Sequence, residues 1–470
     1  MVIDFVMDRL LKDAQKRKQQ QLEEEGTTEE YNRLKVNPLG EILKENIDWI
    51  ISSKLFSNEQ KKAAFMIANC KTEKLGGYLD YCPTCNKVVE FRYCSCNNRN
   101  CPNCQYPMQQ KWVEMRKNEL IPDIPYYHII LTCPHELNPL FQENQSEMLS
   151  LLMRSASQAV IKMCDNPKVL GAKPSILSVL HTWSSNLQLH FHSHMLVSGG
   201  GLDADGNFVR LTDLRKMQKN AREAENCQKD KTQCDSNQVS NDDESGNDYF
   251  IHMQALTALF RGMFMAELRK LYKKRKLTIP ASLEELTDPI MWSRFCFKLE
   301  QMDWVGDLEK APGGGENVIE YFARYAYRTA ISNSRIKGYD GKCVYFTVKV
   351  KSKDNPKRRE TKIISLDVHT FISRFLSHIL PKRFSRVRTF GILSNAKKNT
   401  NLQTIHDKTD GKTYTPCTIK DLKGVELMQA LMPDKTFGVC PFCNGKLESK
   451  PFGLVKKRIE DRERRKRGAE

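Results

Sequence analysis

A run of alternating histidines is the part of the chain whose residue types are best suited to chemistry. In HFHSHMLVSGGG the histidines occupy every second position, at His190, His192 and His194. Side chains along a β-strand alternate between its two faces, so on a strand these imidazoles would point the same way. Imidazole nitrogens are common ligands of divalent metal ions. The spacing therefore predicts a metal site, and the alternative is a polar strand edge with incidental histidines.

Two C-x2-C motifs predict a second kind of metal site. Each motif turns tightly enough to offer two thiolates to one ion, and the stretch between them has zinc-ribbon length. We predict that one structural zinc ion is bound by four cysteines: Cys82, Cys85, Cys101 and Cys104. Three other cysteines of this region could replace a ligand or help to bind a second ion: Cys70, Cys94 and Cys96. Of these, Cys96 joins the predicted zinc-ligand set as a further candidate.

A third C-x2-C motif, Cys440 to Cys443, has no obvious second pair. A motif of this kind is a turn with two thiols about as often as it is half of a zinc site, and Cys417 and His406 are weak candidates for further ligands. The 16 cysteines are clustered along the chain. Clustering indicates metal binding in a reducing compartment, and it argues against a disulfide framework.

The sequence from Glu316 to Arg328 predicts a helix that carries a second chemical group. Helical spacing places Tyr321 and Tyr325 one turn apart on one face, with Arg324 and Arg328 on the adjoining face. A tyrosine phenolate can attack phosphorus and leave a covalent phosphotyrosyl link, and guanidinium groups can hold the phosphate under attack. The alternative, in which the tyrosines only pack and the arginines are solvated, is common for aromatic pairs at this spacing.

Charge and composition indicate a polyanionic partner. The net charge is +17 over 470 residues, which suits nucleic acid before a membrane. No apolar run has transmembrane length and no secretory leader is apparent, so we expect a cytoplasmic, nucleoid-associated protein. Basic residues crowd the end of a predicted helix beyond what its dipole needs. We therefore expect Lys273, Lys274 and Arg275 to bind DNA phosphates.

The elements that would position these groups alternate between strand and helix. A strand over Tyr126–Thr132 and a helix over Gln145–Met163 precede a strand over Ile176–His181, which turns into the histidine strand. This order predicts an α+β fold with an antiparallel sheet. The predicted segments are a charged arm at 1–37, a helical zinc-binding and DNA-binding module at 38–118, a catalytic domain at 119–350 with a disordered insert at about 216–248, and a basic region at 351–470.

Several longer motifs, taken together and in this order, carry a family resemblance. PYYHIILTCPHELNPL, VLHTWSSNLQLHFHSH, YFARYAYRTAISNSRI and CPFCNGKL follow the cysteine-rich front of the chain. In this the sequence resembles the rolling-circle transposases of the insertion-sequence-ninety-one type. These form part of the two-tyrosine branch of the HUH endonucleases, named for a histidine, a bulky hydrophobic residue and a histidine. The likeness extends over residues 38–447.

The resemblance implies a fold and a set of site residues. The fold would be an antiparallel-sheet HUH nuclease domain with a ferredoxin-like or RRM-like palm. His192 and His194 match the histidine pair that binds catalytic Mg²⁺ or Mn²⁺, and His190 precedes them as in many members. Tyr321 and Tyr325 match the two catalytic tyrosines. The zinc-binding region matches the front cysteines. Three positions depart from the family pattern: Ser193 where a bulky residue is usual, and Tyr78 and Asn100 where histidine is common.

The resemblance also implies a reaction and a partner. Single-stranded or hairpin element ends and target DNA would be cleaved and joined by metal-assisted tyrosine attack, through a 5′-phosphotyrosine intermediate. Two other functions stay open. A rolling-circle replication initiator or a relaxase would use the same site on an origin. A non-enzymatic zinc DNA-binding regulator would need neither the histidines nor the tyrosines. The sequence does not indicate the oligomeric state.

Overall fold

The computed structural model describes residues 37–217, 219, 251–312, 317–352 and 359–467. The predicted N-terminal arm lies outside these residues, as does most of the predicted insert with Cys227 and Cys234. Within the described residues, no helix combines the length and the apolar character needed to cross a membrane.

The front of the chain is a small helical group followed by a β-hairpin. Its elements are α1 (Pro38–Glu45), α2 (Ile47–Ser52), α3 (Asn58–Ala68), β1 (Gly77–Cys82), β2 (Lys87–Tyr93) and α4 (Tyr106–Lys117). Local signals set the helix starts. Asn37 caps α1 by accepting from the Gly40 amide, and Ser57 and Gln60 form a capping box at the start of α3.

The central sheet is antiparallel throughout, in agreement with the predicted α+β class. Its strands are β3 (Tyr126–Thr132), β4 (Lys173–Trp183), β5 (Leu189–Leu202), β6 (Phe208–Arg210), β7 (Gly306–Lys310) and, from later in the chain, β11 (Val387–Gly391). Their order is β11-β4-β5-β3-β7, with β6 paired to β5. The histidine strand β5 is therefore in the middle of the sheet, with β4 and β3 as its neighbours.

Helices cover both faces of this sheet. The helices of the central region are α5 (Asn138–Glu143), α6 (Gln145–Cys164), α7 (Met253–Lys273), α8 (Pro289–Gln301) and α9 (Asn317–Ala326). Phe191 and Met195 of β5 belong to the core formed with α6 and α7. Leu196 belongs to the opposite core, formed with α4 and α9. Because the strand alternates, His192 and His194 lie on the same side as Leu196, beneath α9.

The remaining elements complete a second and a third sheet. They are β8 (Ile336–Tyr339), β9 (Cys343–Lys351), β10 (Arg359–Asp367), α10 (Val368–Leu376), α11 (Lys398–Thr409), α12 (Gly424–Leu431), β12 (Glu448–Phe452) and α13 (Leu454–Arg467). Strands β8, β9 and β10 form one antiparallel sheet, and β12 joins β1 and β2 in the other. The predicted boundary at residue 350 stays a prediction, and β11 and β12 beyond it both pair with strands that precede it.

Candidate functional site

Three histidines meet at the middle of the central sheet. His192 and His194 lie on β5, and His181 lies opposite His192 in the register of β4. One ring nitrogen from each histidine lies within 4.8 Å of the corresponding atoms of the other two, and all three side chains are buried. The predicted pair is therefore brought together, with His181 as the third member. The register of the hairpin formed by β4 and β5 brings this third imidazole to the group.

His190, which we predicted as the third metal ligand, is not part of this group. The pairing of β4 with β5 shifts register between His181 and Trp183, at the end of the hairpin that carries His190. Strict alternation therefore does not bring His190 to the same point as His192. The His190 carbonyl accepts a 2.8 Å hydrogen bond from Nδ1 of His192, and its ring lines an open groove that also contains Arg374.

Burial keeps the three imidazoles neutral. It lowers the pKa of His192 to about 3, with further lowering by the nearby charge of His190, and it lowers the pKa values of His181 and His194 far below the usual range. Nε2–H of His181 donates to the Tyr325 carbonyl at 2.8 Å, and Nδ1–H of His192 donates to the His190 carbonyl. Nδ1 of His181 and Nε2 of His192 therefore keep free lone pairs, which fit a divalent ion.

A chain of hydrogen bonds connects His194 to a tyrosine. Nδ1 of His194 lies 2.8 Å from Nε2 of His128. Nδ1 of His128 lies 3.1 Å from Oε1 of Glu309 and 2.9 Å from the Tyr321 hydroxyl. If Nε2 of His194 binds a metal ion, its Nδ1–H donates to His128. The His128 proton then lies on Nδ1 and faces Glu309 and Tyr321.

The two tyrosines of α9 project toward this group with their hydroxyls side by side. The two hydroxyl oxygens are 3.3 Å apart, and the Tyr321 hydroxyl donates to Oε1 of Glu309 at 2.6 Å. Burial, followed by the hydrogen bond to Glu309, raises the pKa of Tyr321. The Tyr325 ring lies 4.7 Å from the His194 ring, centroid to centroid. Tyr327 turns away and packs edge-on against Trp112.

The predicted phosphate-binding residues lie on two different sides of the sheet. Arg324 and Arg328 are exposed on the α9 side, and the charge of Arg328 adds to the burial that lowers the pKa of His192. Lys273, Lys274 and Arg275 are exposed at the C-terminal end of α7, which packs on the opposite face. The structure therefore does not bring these three side chains to the histidines.

Three residues that the sequence reasoning did not select complete the site. The sequence contains a signal for His181, because this residue ends the predicted strand Ile176–His181, which precedes the histidine strand. His128 also has one, because it lies in the predicted strand Tyr126–Thr132. No sequence signal points to Glu309, since β7 is short. The Glu309 carboxylate reaches Tyr321 only because of the order of the strands in the sheet. A fourth residue, the buried Arg386, holds α9 in place by donating to the carbonyls of Ala326 and Arg328.

The cysteines form two groups, and the predicted single group of four was wrong in its pairing. Cys70, Cys96, Cys101 and Cys104 make one group, in which all four side chains are buried. Cys82 and Cys85 lie instead with Cys440 and Cys443. The reason is strand pairing, because β12 lies beside β1 and brings the last C-x2-C motif to the first. Cys417 and His406 are in neither group.

Two family models match this chain. One, described as "Putative transposase", matches residues 175–233 and 231–400, which include the histidines and both tyrosines. The other, described as "Transposase zinc-binding domain", matches residues 42–133. The chain belongs to the transposase family of the insertion-sequence-ninety-one type. The second match identifies the cysteine-rich front of this transposase as a zinc-binding domain.

Two relatives agree with the family assignment. The transposase is 28% identical over 389 residues to "Putative transposase y4qJ" of Sinorhizobium fredii, a match that covers 83% of this chain and 88% of the relative. It is 26% identical over 309 residues to "Transposase for insertion sequence element IS801" of Pseudomonas savastanoi pv. phaseolicola, which covers 65% of this chain and 63% of that protein. No solved structure matches the chain.

Proposed function

We propose that this protein cleaves and joins single DNA strands at the ends of a mobile element, with Tyr321 and Tyr325 as its nucleophiles. The observation that carries the proposal is the pair of phenol oxygens, 3.3 Å apart, beside a group of buried and neutral imidazoles. A core aromatic pair has no need of clustered histidines beneath it. An HUH-type nuclease domain is consistent with the antiparallel sheet and with the likeness to a transposase of an insertion sequence.

His181, His192 and His194 would hold a Mg²⁺ or Mn²⁺ ion. Such an ion polarises a phosphoryl oxygen and stabilises the charge that develops on it. Three imidazole nitrogens favour Mn²⁺ over Mg²⁺, which prefers oxygen ligands. The hydrogen bonds from His181 to the Tyr325 carbonyl and from His192 to the His190 carbonyl orient two of the rings for this task.

The chemical step requires a phenolate, and the site contains a base for one of the tyrosines. The Tyr321 oxygen attacks the scissile phosphorus, and the bond from phosphorus to the 3′ oxygen breaks. The products are a 5′-phosphotyrosine and a 3′ hydroxyl, which gains a proton as it leaves. Glu309 is 2.6 Å from the phenol oxygen and accepts the phenol proton. Tyr325 performs the second cleavage from the same place.

The substrate follows from charge and from access. The net charge of +17 favours a nucleic acid, and the exposed Arg324, on α9, and Arg328, just after it, would contact the phosphates of a strand bound above the histidines. A phosphate reaches these buried rings more readily from a single strand or a melted hairpin end than from a rigid duplex. Element ends and target DNA are therefore the proposed partners, and the zinc-binding front would help to hold them.

A covalent-adduct assay tests the proposal. The full-length protein is incubated with Mn²⁺ and single-stranded oligonucleotides from the element ends, and adducts are separated on denaturing gels. Wild type should give an adduct. Tyr321→Phe and Tyr325→Phe should each retain some adduct, and the double variant should form none. Tyr327→Phe is the matched control, because its ring packs on Trp112 and not on the histidines.

The outcomes separate the alternatives. An adduct that survives in the double variant would disprove the proposed nucleophiles. DNA binding with no adduct from any oligonucleotide, in the presence of Mn²⁺ or Mg²⁺, would indicate a non-enzymatic DNA-binding protein. Adducts formed on an origin sequence but never on element ends would indicate a replication initiator or a relaxase.

A further inference from the structure

The C-terminal C-x2-C motif lies against the first one, although most of the chain separates them in sequence. The two motifs share a sequence pattern, Cys82-Pro-Thr-Cys85-Asn86 and Cys440-Pro-Phe-Cys443-Asn444. In both, the asparagine after the second cysteine has a positive φ, 60° in Asn86 and 58° in Asn444. This conformation closes each motif as the same kind of tight turn.

The four thiols are arranged as the ligands of one ion would be. Sγ of Cys82 lies 3.4 Å from Sγ of Cys443, and Sγ of Cys85 lies 3.6 Å from Sγ of Cys440. All four sulfur atoms lie within 4.8 Å of one another. A zinc–sulfur bond of roughly 2.3 Å puts the sulfur atoms of a tetrahedral site about 3.8 Å apart. A disulfide would need about 2.05 Å, so these sulfurs are not bonded to each other.

The surrounding contacts bring the two turns face to face. β12 follows the second turn and pairs with β1, which enters the first. Lys87 lies over the Phe442 ring at 4.6 Å, and the Phe91 and Phe452 rings stack at 5.0 Å. An added Cβ at Gly445 would lie 2.5 Å from the Thr84 hydroxyl, so this close approach requires glycine.

Apolar burial does not hold the second turn in place. Between residues 431 and 452, every one of which the structure describes, Cys440 is the one buried side chain, and Phe442 is 62% exposed. A segment with so little buried apolar surface cannot offset its conformational entropy by packing alone. Metal binding is the interaction that would do so.

We propose that Cys82, Cys85, Cys440 and Cys443 bind a second zinc ion, which joins the C-terminal segment to the N-terminal zinc-binding module. The first zinc ion belongs to Cys70, Cys96, Cys101 and Cys104, so that the chain holds two. The second ion completes a three-stranded ribbon from both ends of the chain, and it sets where the basic helix α13 begins, two residues after β12.

Zinc counting on the full-length protein tests this site without an activity assay. Elemental analysis after removal of loosely bound metal should find two zinc ions per chain in wild type. Cys440→Ser and Cys443→Ser should each lower the count to one. Cys417→Ser is the matched control and should keep both ions, because Cys417 is close in sequence but lies outside both groups. Cys443→His should also keep two, since histidine is a zinc ligand and this position is exposed.

A readout of folding distinguishes loss of this ion from general unfolding. Limited proteolysis of Cys440→Ser should show new cleavage at residues 433–447, while the central sheet keeps its wild-type protection. One zinc ion in wild type, or two in Cys440→Ser, would overturn the proposal. So would mass spectrometry of the alkylated, unreduced protein that finds disulfides from Cys82 to Cys443 and from Cys85 to Cys440.

Discussion

At the scale of single residues, the two tyrosines of the site differ in their hydrogen-bond partners. The Tyr321 hydroxyl donates to Glu309 and lies 2.9 Å from His128. The Tyr325 hydroxyl lies 3.3 Å from the Tyr321 hydroxyl, and no carboxylate among the described residues accepts a hydrogen bond from it. Burial raises the pKa of Tyr321, so this phenol depends on a base or a nearby positive charge to react near neutral pH. Glu309 is placed to supply the base.

This inequality predicts that Glu309→Gln affects one tyrosine more than the other. In a Tyr325→Phe background, where Tyr321 is the remaining proposed nucleophile, Glu309→Gln should slow adduct formation by about a hundredfold or more, as for loss of a general base. In a Tyr321→Phe background the same change should have a much smaller effect. Single-turnover adduct rates measure both. Equal slowing in the two backgrounds would contradict a role for Glu309 in taking the Tyr321 proton.

The histidines make a second prediction at this scale. His181→Ala should abolish tight Mn²⁺ binding and adduct formation, because it removes one of the three proposed ligands. His190→Ala should change Mn²⁺ affinity less than about tenfold, since His190 supports His192 through a backbone carbonyl that alanine retains. Calorimetric titration of each variant with Mn²⁺ gives the comparison, and a circular dichroism melt checks that both are folded. The reverse order of effects would restore His190 as the ligand.

At the scale of elements, the hairpin of β4 and β5 determines which groups meet. Its register places His181 against His192, and the alternation of β5 sends Phe191 and Met195 to one helical layer and the histidines to the other. Ser193 fits this arrangement, because its hydroxyl lies 2.9 Å from that of Ser178 on the neighbouring strand. A hydrogen bond between strands thus replaces the bulky side chain expected there. The histidines therefore face the layer that contains α9, and the apolar side chains of β5 face the layer that contains α6 and α7.

This division predicts that the basic end of α7 is not needed for cleavage. Changing Lys273, Lys274 and Arg275 to alanine should leave the adduct rate on a short oligonucleotide unchanged, because α7 packs on the face opposite to the histidines. The slope of log affinity against log salt should also stay the same, whereas each lost phosphate contact on a single strand would flatten it by about 0.7. Arg324→Gln with Arg328→Gln is the comparison and should flatten the slope. A flatter slope for the α7 variant would show that DNA also crosses that layer.

At the scale of the whole molecule, buried histidines link stability to pH. Burial lowers the pKa of His192 to about 3 and that of His378 to about 4. Both are neutral in the folded chain and gain a proton on unfolding below pH about 6.5. The stability that they contribute is complete above that pH, and it is lost as the pH falls toward 4 for His378 and toward 3 for His192. Within that range, each histidine lowers the free energy of unfolding by about 1.4 kcal/mol per pH unit.

We therefore expect the free energy of unfolding to fall between pH 7 and pH 5, and His378→Gln to reduce that fall by about 2 kcal/mol. His378 is buried between Thr182 and the Leu187 carbonyl, and it is not part of the group formed by His181, His192 and His194. Urea unfolding at both pH values measures the difference, and His252→Gln at an exposed position is the matched control. An unchanged pH dependence in His378→Gln would mean that this imidazole is protonated in the folded chain.

The sequence by itself determined the local features of this protein. Alternation along β5 identified His192 and His194, helical spacing identified the two tyrosines, and the C-x2-C motifs identified the thiols, because each pattern is set by a period of a few residues. The antiparallel α+β class followed from the order of the strands and helices.

Tertiary structure alone decided which local features meet. His181, and not His190, is the third member of the histidine group. The register of the hairpin and a shift in its pairing bring His181 there, and neither is visible in the alternation along β5. Glu309 reached Tyr321 because β7 pairs with β3 at the sheet edge. Two other C-x2-C motifs could have joined Cys82 and Cys85. The pairing of β12 with β1 brings the one that is more distant in the sequence. Contacts between residues far apart in the chain depend on the packing of whole elements, which a short sequence period does not encode.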